Sequence, residues 1–399
     1  MSLEAYFQKV STCLAEQDGK QLALLLSLDD QHADRLLSQL GTGKDLERIA
    51  SRSLKTPWDE VVIQHIRVLI AVATGDFSTG FTEQTGVANH FLKAFPTLTR
   101  WSLPVLYVIN AELHWLAIQA DDQLAKAGEK KGKLEEASRT LNKSFTACMT
   151  DRNINMKESR KWGTYFIVNL LFKTYFRLKT QTLCKNVIRA LTNQNLPSLD
   201  LYPKSHRVTF RYYMGVLHFL EDRHLQAEPQ FLSALRECPK NAQHNRWLIL
   251  RYLIPTRMSR GILPSKELLS RYPDLESTYQ PFVQAMRTGN LRLYDNTLLR
   301  EQRILLRRGV YLILERSRQV AVRRLFKKVA TIVQSTRIPI GQFQEALRCS
   351  GIHVGTAEVE GMLANMIYKG YMKGYLSHER LTLVLSATEP FPALSTINA

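Results

Sequence analysis

Arg323, Arg324, Lys327 and Lys328 are the residues of this chain whose type and spacing promise chemistry, and that chemistry is the binding of anions. Four cations within six positions, with no acid among them, offer a phosphate or carboxylate several partners at once. The usual catalytic constellations do not form. Gly41-Thr42-Gly43-Lys44 has the look of a phosphate loop, but Ser38 stands where its first glycine is needed and Asp45 follows the lysine. His218 and His224, with Asp222 between them, are six apart, which does not put two metal ligands on one helical face. His65 and His114 sit in apolar helices and read as core or boundary residues. No G-x-S-x-G elbow or G-x-G-x-x-G loop is present. The expectation is of no enzyme, no cofactor and no metal.

The four cations belong to a periodic segment. At 100° per residue, Val322, Leu325, Phe326, Val329, Ile332 and Val333 fall on one side of a helix from Val320 to Ser335, and the cations fall on the other. Around it the charge is dense. From Arg287 to Arg337 thirteen Lys or Arg face three acids, Asp295, Glu301 and Glu315, a net of +10 out of +18 for the 399 residues. So concentrated an excess has an electrostatic target. Arg316 and Arg318 precede the helix, while Lys369, Lys373 and Arg380 follow near the chain's end. With the four, they make a candidate nucleic-acid-binding set. Arg292, Arg300, Arg303, Arg307 and Arg308 could instead serve a protein partner.

The elements that must position these residues are almost all helices. Apolar content of 45% and charged content of 23% are those of a folded protein. Helical patterns run over Trp58 to about Gly75, Phe77 to Phe95, Leu103 to Leu124, Leu134 to Met149, Glu158 to Leu178, Thr182 to Leu191, Ser205 to Leu220 and Leu225 to Glu237. Gly215, Ala227, Phe231, Ala234 and Pro239 stand at tetratricopeptide-like offsets, where small residues let two helices cross closely. Pro229 lies inside the second of these helices. Toward the end, helices near Ile340 to Ser350 and Thr356 to Lys369 lead into two short strands, about Tyr371 to Leu376 and Leu381 to Leu385, the pattern of a winged helix. The expected fold is mainly α: a curved tetratricopeptide-like solenoid followed by a winged helix with a small β hairpin. The expected divisions are helical repeats over 1–205, further helices over 206–318, the winged helix over 319–386 and an extended tail over 387–399.

The last winged-helix helix opens Thr356-Ala357-Glu358-Val359-Glu360. Its carboxylates suit a helix amino terminus but repel phosphate, so sequence-independent backbone binding is expected rather than major-groove reading. Tyr368, Tyr371 and Tyr375 could stack on unpaired bases, Tyr371 being best placed, although such spacing more often means core packing. Five scattered cysteines and an amino terminus with an early acid fit an intracellular protein without a signal peptide.

Several stretches resemble the PCI-domain family: SRKWG (Ser159 to Gly163), NLLFKTYFR (Asn169 to Arg177), LCKNVIRA (Leu183 to Ala190), RVTFRYYMG (Arg207 to Gly215), RGVYLILER (Arg308 to Arg316), RRLFKKV (Arg323 to Val329), LANMIYKGYMKGYLSHE (Leu363 to Glu379) and FPALST (Phe391 to Thr396). The likeness is strongest to the branch of the second transcription-and-export complex, and a sister branch associates with the signalosome. The resemblance implies a non-catalytic scaffold in the nucleus and at the nuclear pore, in part cytoplasmic, acting in messenger RNA export. Its implied partners are a large scaffold protein bound through the winged helix, a small acidic disordered subunit shared with the proteasome lid, and nucleic acid; no membrane is implied. A signalosome-like subunit acting only in assembly is the alternative.

Overall fold

The computed structural model describes residues 3–29, 33, 36, 46–394 and 397. The Gly41-Thr42-Gly43-Lys44 sequence and Ser395-Thr396 lie outside the described residues. The chain divides into two compact units, Met1–Tyr213 and Met214–Ala399. No helix among the described residues is long and apolar enough to cross a membrane.

The first unit holds α1 (Leu3–Ala15), α2 (Gly19–Leu25), α3 (Leu46–Ser53), α4 (Trp58–Ala73), α5 (Phe77–Ala94), α6 (Leu103–Lys126), α7 (Lys133–Met149), α8 (Thr164–Arg177) and α9 (Thr182–Thr192). The 3.6-residue spacing of Val61, Val62, Ile66 and Leu69 buries one face of α4 completely or nearly so. His65 is buried with them, as the sequence suggests. Helix α7 lacks a capping side chain of its own, because Gly132 stands at its N-cap. Asp121 of α6 supplies the cap instead, accepting from the backbone N–H of Gly132, Lys133 and Leu134 at 2.9, 2.9 and 3.0 Å. The single helix expected over Glu158 to Leu178 is broken. The Asp151 carboxylate takes the Ser159 hydroxyl (2.7 Å) and the Arg160 N–H (2.8 Å), which turns the chain into a short 3₁₀ segment, Arg160–Gly163, before α8.

Helix α10 (Lys204–Leu220) contains the point of division, and the second unit continues with α11 (His224–Glu237), α12 (Gln243–Ser259), α13 (Lys266–Ser270), α14 (Pro273–Thr288) and α15 (Leu291–Arg308). Then come α16 (Tyr311–Val333), β1 (Arg337–Pro339), α17 (Ile340–Cys349), α18 (Thr356–Tyr368), β2 (Gly374–Ser377) and β3 (Thr382–Leu385). The close crossing read from Gly215 is present: a Cβ there would stand 2.6 Å from the Phe231 ring, and Ala227, Phe231 and Ala234 are fully buried. Pro229 is exposed and lies beyond the first turn of α11.

Helix, strand, two helices and two strands from α16 to β3 make the winged helix. Its sheet has three strands in the order β1-β3-β2, all antiparallel, rather than the expected hairpin alone. Three residues ending in a proline give too little alternation for β1 to show in sequence. Ile338 nonetheless pairs with Leu383, and both are fully buried. Phe326 of α16 meets Phe343 of α17 edge to face at 5.2 Å. Helix α16 also begins nine residues before the expected Val320, because Gly309 in the left-handed region (φ +70°) ends α15 and Tyr311 starts the next helix at once.

A pH dependence follows from His114. Its Nδ1 lies 3.0 Å from the Thr174 hydroxyl, which itself donates to Leu170 O (2.8 Å), so the neutral ring donates from Nδ1. Burial, helped by the cations of Lys173 and Arg177, lowers its pKa from 6.5 to about 4. The unfolded chain therefore takes up this proton first. Its contribution is complete above pH 6.5 and is lost as pH falls toward 4. Urea denaturation across that window should show a shallower loss for His114→Gln, by at most about one proton. An unchanged slope would mean His114 titrates normally.

Candidate nucleic-acid interface

Helix α16 touches α12, α14, α15 and α17, so both its sides meet other helices over part of its length. This packing overrides the simple division of faces. Ile332 is 80% exposed, Leu325 is half-buried, and Arg323 is only 9% exposed. The Arg323 guanidinium donates from Nε to Tyr371 O (2.9 Å) and from Nη2 to Pro392 O, and it lies over the Phe391 ring at 5.6 Å. Burial holds its pKa below the ordinary guanidinium value. Arg323 therefore leaves the nucleic-acid set: it fastens the chain on either side of the β2–β3 hairpin to α16. Tyr371 leaves the stacking set for the same reason, with 5% exposure. Tyr368 and Tyr375 stay exposed at 90% and 62%.

The described part of the expected tail, as far as Leu394, is docked rather than free. Lys373 N–H donates to Pro390 O (3.0 Å), the Lys373 ammonium pairs with Glu389, and a Cβ on Gly261 would strike the Leu394 side chain. Lys373 is thus partly neutralised. Arg316 pairs with Asp222, and Arg318 grips Asp295 through two bonds of 2.6 and 2.8 Å. These carboxylates hold both guanidinium pKa values above the ordinary range. Lys369 is exposed and reaches Gln319 at 3.3 Å.

Three of the four helix cations stay at the surface in one cluster. Arg324 Nε donates to Arg287 O (3.2 Å) and Lys328 Nζ to Thr288 O (2.6 Å), so both caps serve the carboxyl end of α14, where unpaired carbonyls attract cations. Gly289 permits this approach. It has φ +70°, and a Cβ there would lie 2.9 Å from Leu325 N. Lys327 is exposed and makes no side-chain hydrogen bond or ion pair among the described residues. Arg287, at the same helix end, is exposed as well. The charge count included Arg287 but gave it no role; the signal was its place two residues before the glycine that ends α14. Arg380 and Arg337 lie exposed on the wing and on β1, and the latter was passed over with its strand.

Of the residues expected to bind a protein, Arg292, Arg303 and Arg307 are exposed on α15, and Arg300 pairs with its neighbour Glu301. Arg308 is half-buried, donates to Thr278 Oγ1 (3.1 Å) and lies 5.7 Å from the Trp247 ring centre. Leu299 and Leu306, one heptad apart on α15, are 74% and 55% exposed. On the last winged-helix helix, Glu358 is exposed and Glu360 holds His378 of the wing at 2.8 Å. Among the described residues no group of three or more His, Cys, Asp or Glu is placed to hold a metal ion.

Residues 283–387 match the model of the PCI domain. Over its whole length the chain is 36% identical to Protein CSN12 homolog of Mycosarcoma maydis, covering 99% of that protein. It is 37% identical to Protein CSN12 homolog of Schizosaccharomyces pombe over 98% of each chain. It is 34% identical to PCI domain-containing protein 2 of Danio rerio over 100% of this chain and 99% of the relative. None of these names carries an enzymatic activity.

The contrast between Arg323 and Lys327 can be measured. Arg323→Ala leaves two carbonyls without their donor and should cost about 2 to 4 kcal/mol in urea denaturation, whereas Lys327→Ala should change stability by less than about 0.5 kcal/mol. Equal small losses would mean the Arg323 anchor contributes little.

Proposed function

The chain belongs to the PCI-domain family, and from that premise we propose that it is a non-catalytic scaffold subunit of a nuclear messenger RNA export complex with a basic surface for nucleic acid. One observation carries the nucleic-acid part: Arg287, Arg324, Lys327 and Lys328 gather at the end of α14, and none of them forms an ion pair among the described residues. Two of these are held by backbone carbonyls, which orient the side chain and leave its charge intact. Such a cluster suits phosphates without reading bases, and Glu358 near the start of α18 argues against groove reading by that helix.

Partner binding has its own support. Tyr368, Tyr375 and Leu381 leave apolar surface open on the winged helix, which suits pairing with a large scaffold protein. The α15 face of Leu299, Leu306, Arg303 and Arg307 mixes leucines with cations, as a small acidic, apolar-studded subunit would require. In this reading the protein works in the nucleus and at the pore. A second reading, assembly alone in a signalosome-like complex, draws support from the internal partners of Arg316, Arg318 and Arg323.

Single-stranded RNA binding by the chain, alone and with its scaffold partner, separates the two readings. Log affinity should fall against log salt with a slope of roughly −2 to −3, as for three or four phosphate contacts. Arg287→Glu with Lys327→Glu, which spares the two capping side chains, should remove most of that binding and leave assembly intact. Salt-independent binding, or full binding by the double variant, would refute the basic cluster as the RNA surface. Loss of assembly instead would make it a protein interface.

A further inference from the structure

Helices α5 and α7 of the first unit pack against each other and leave an open groove of about 730 Å³. Its walls are single helix faces. Asn89, Leu92 and Lys93 line it from α5, and Arg139, Lys143 and Thr146 from α7. From Arg139 to Thr150 the wall extends about 16 Å, the reach of roughly five residues of extended chain.

The charge in this groove is of one sign, for no carboxylate lines it. Lys143 Nζ rests on the neutral Asn89 Oδ1 at 3.0 Å and keeps its full charge. Lys93 has Glu60 at 3.5 Å, but both side chains are well exposed and the pair is weak. Arg139 is exposed and makes no side-chain hydrogen bond or ion pair among the described residues. Arg160 closes part of the groove while its guanidinium is spent on Asp151 (2.9 Å) and Phe95 O (3.0 Å). The net effect is two unpaired cations, Arg139 and Lys143, one turn apart on α7, with Lys93 on the opposite helix and the aliphatic side chains of Leu92, Pro96 and Ala147 between them in the lining.

The spread decides the occupant. Arg139 and Lys143, four residues apart on α7, are about 6 Å apart along the helix axis, which is close to the spacing of alternate side chains on an extended chain and so suits its carboxylates. No aromatic residue lines the groove, so unpaired bases have nothing to stack on. We propose that the α5–α7 groove is a docking site for an extended acidic peptide segment of a partner protein. It shares no residue with the basic cluster of the second unit, so the fate of the RNA-binding reading leaves it untouched.

The test uses the full chain and a fluorescein-labelled oligoglutamate of about ten residues, long enough to fill the groove, followed by anisotropy at low and moderate salt. Arg139→Glu with Lys143→Glu should bind it roughly tenfold more weakly, and Arg287→Glu with Lys327→Glu should bind it as the unaltered chain does. Should the charge reversals disturb folding, seen by circular dichroism, Arg139→Gln with Lys93→Gln should still weaken binding several-fold. Unchanged affinity in these groove variants would overturn the proposal. So would displacement of the probe by oligouridine together with loss of oligouridine binding in the Arg139 and Lys143 variant, which would make the groove a nucleic-acid site.

Discussion

A buried guanidinium organises the carboxyl half of this protein. Arg323 reaches from α16 to the carbonyls of Tyr371 and Pro392 and to the face of Phe391, so one side chain holds both flanks of the hairpin. Backbone carbonyls buried in this way need a donor, and a guanidinium with five N–H groups in a rigid fork can serve several at once. Ion pairing is not required, because carbonyl dipoles and the aromatic face share the charge. The docked tail, the start of the wing and the buried Tyr371 all meet at this contact.

Helix periodicity and turn residues made most of the architecture readable. Helices α4 to α7, α9 to α11, α17 and α18 begin and end within a few residues of their expected limits, since each carries an apolar stripe bounded by polar or breaking residues. Two failures have physical causes. A stripe model assumes one buried side, but α16 passes several helices in succession, which buries Arg323 and leaves Ile332 in water. A cap borrowed from afar, as Asp151 takes Ser159 and Arg160, breaks a helix with no local warning.

The candidate surface was legible as charge and less so as geometry. A count of cations cannot see that Asp222 and Asp295, distant in sequence, neutralise Arg316 and Arg318. Nor can it see the cations that sit on carbonyls. Arg324 and Lys328 look identical to Arg316 in composition, yet they meet partial charges instead of carboxylates and remain able to attract an anion. What separates an available cation from a spent one is its partner, which tertiary structure alone supplies.

Helix α16 carries one more consequence. Its 23 residues form an uninterrupted rod, about 34 Å long, whose first turns pack among the helices of the second unit and whose last turns are the opening helix of the winged helix. A continuous helix with no glycine or proline resists bending, so it acts as an axle rather than a hinge. A protein gripping the wing would apply torque to the far end of that axle. Because Arg324 and Lys328 are bonded to the carbonyls at the end of α14, any small rotation would draw them off those carbonyls, making the grip on a partner and the presentation of charge two readings of a single mechanical coordinate.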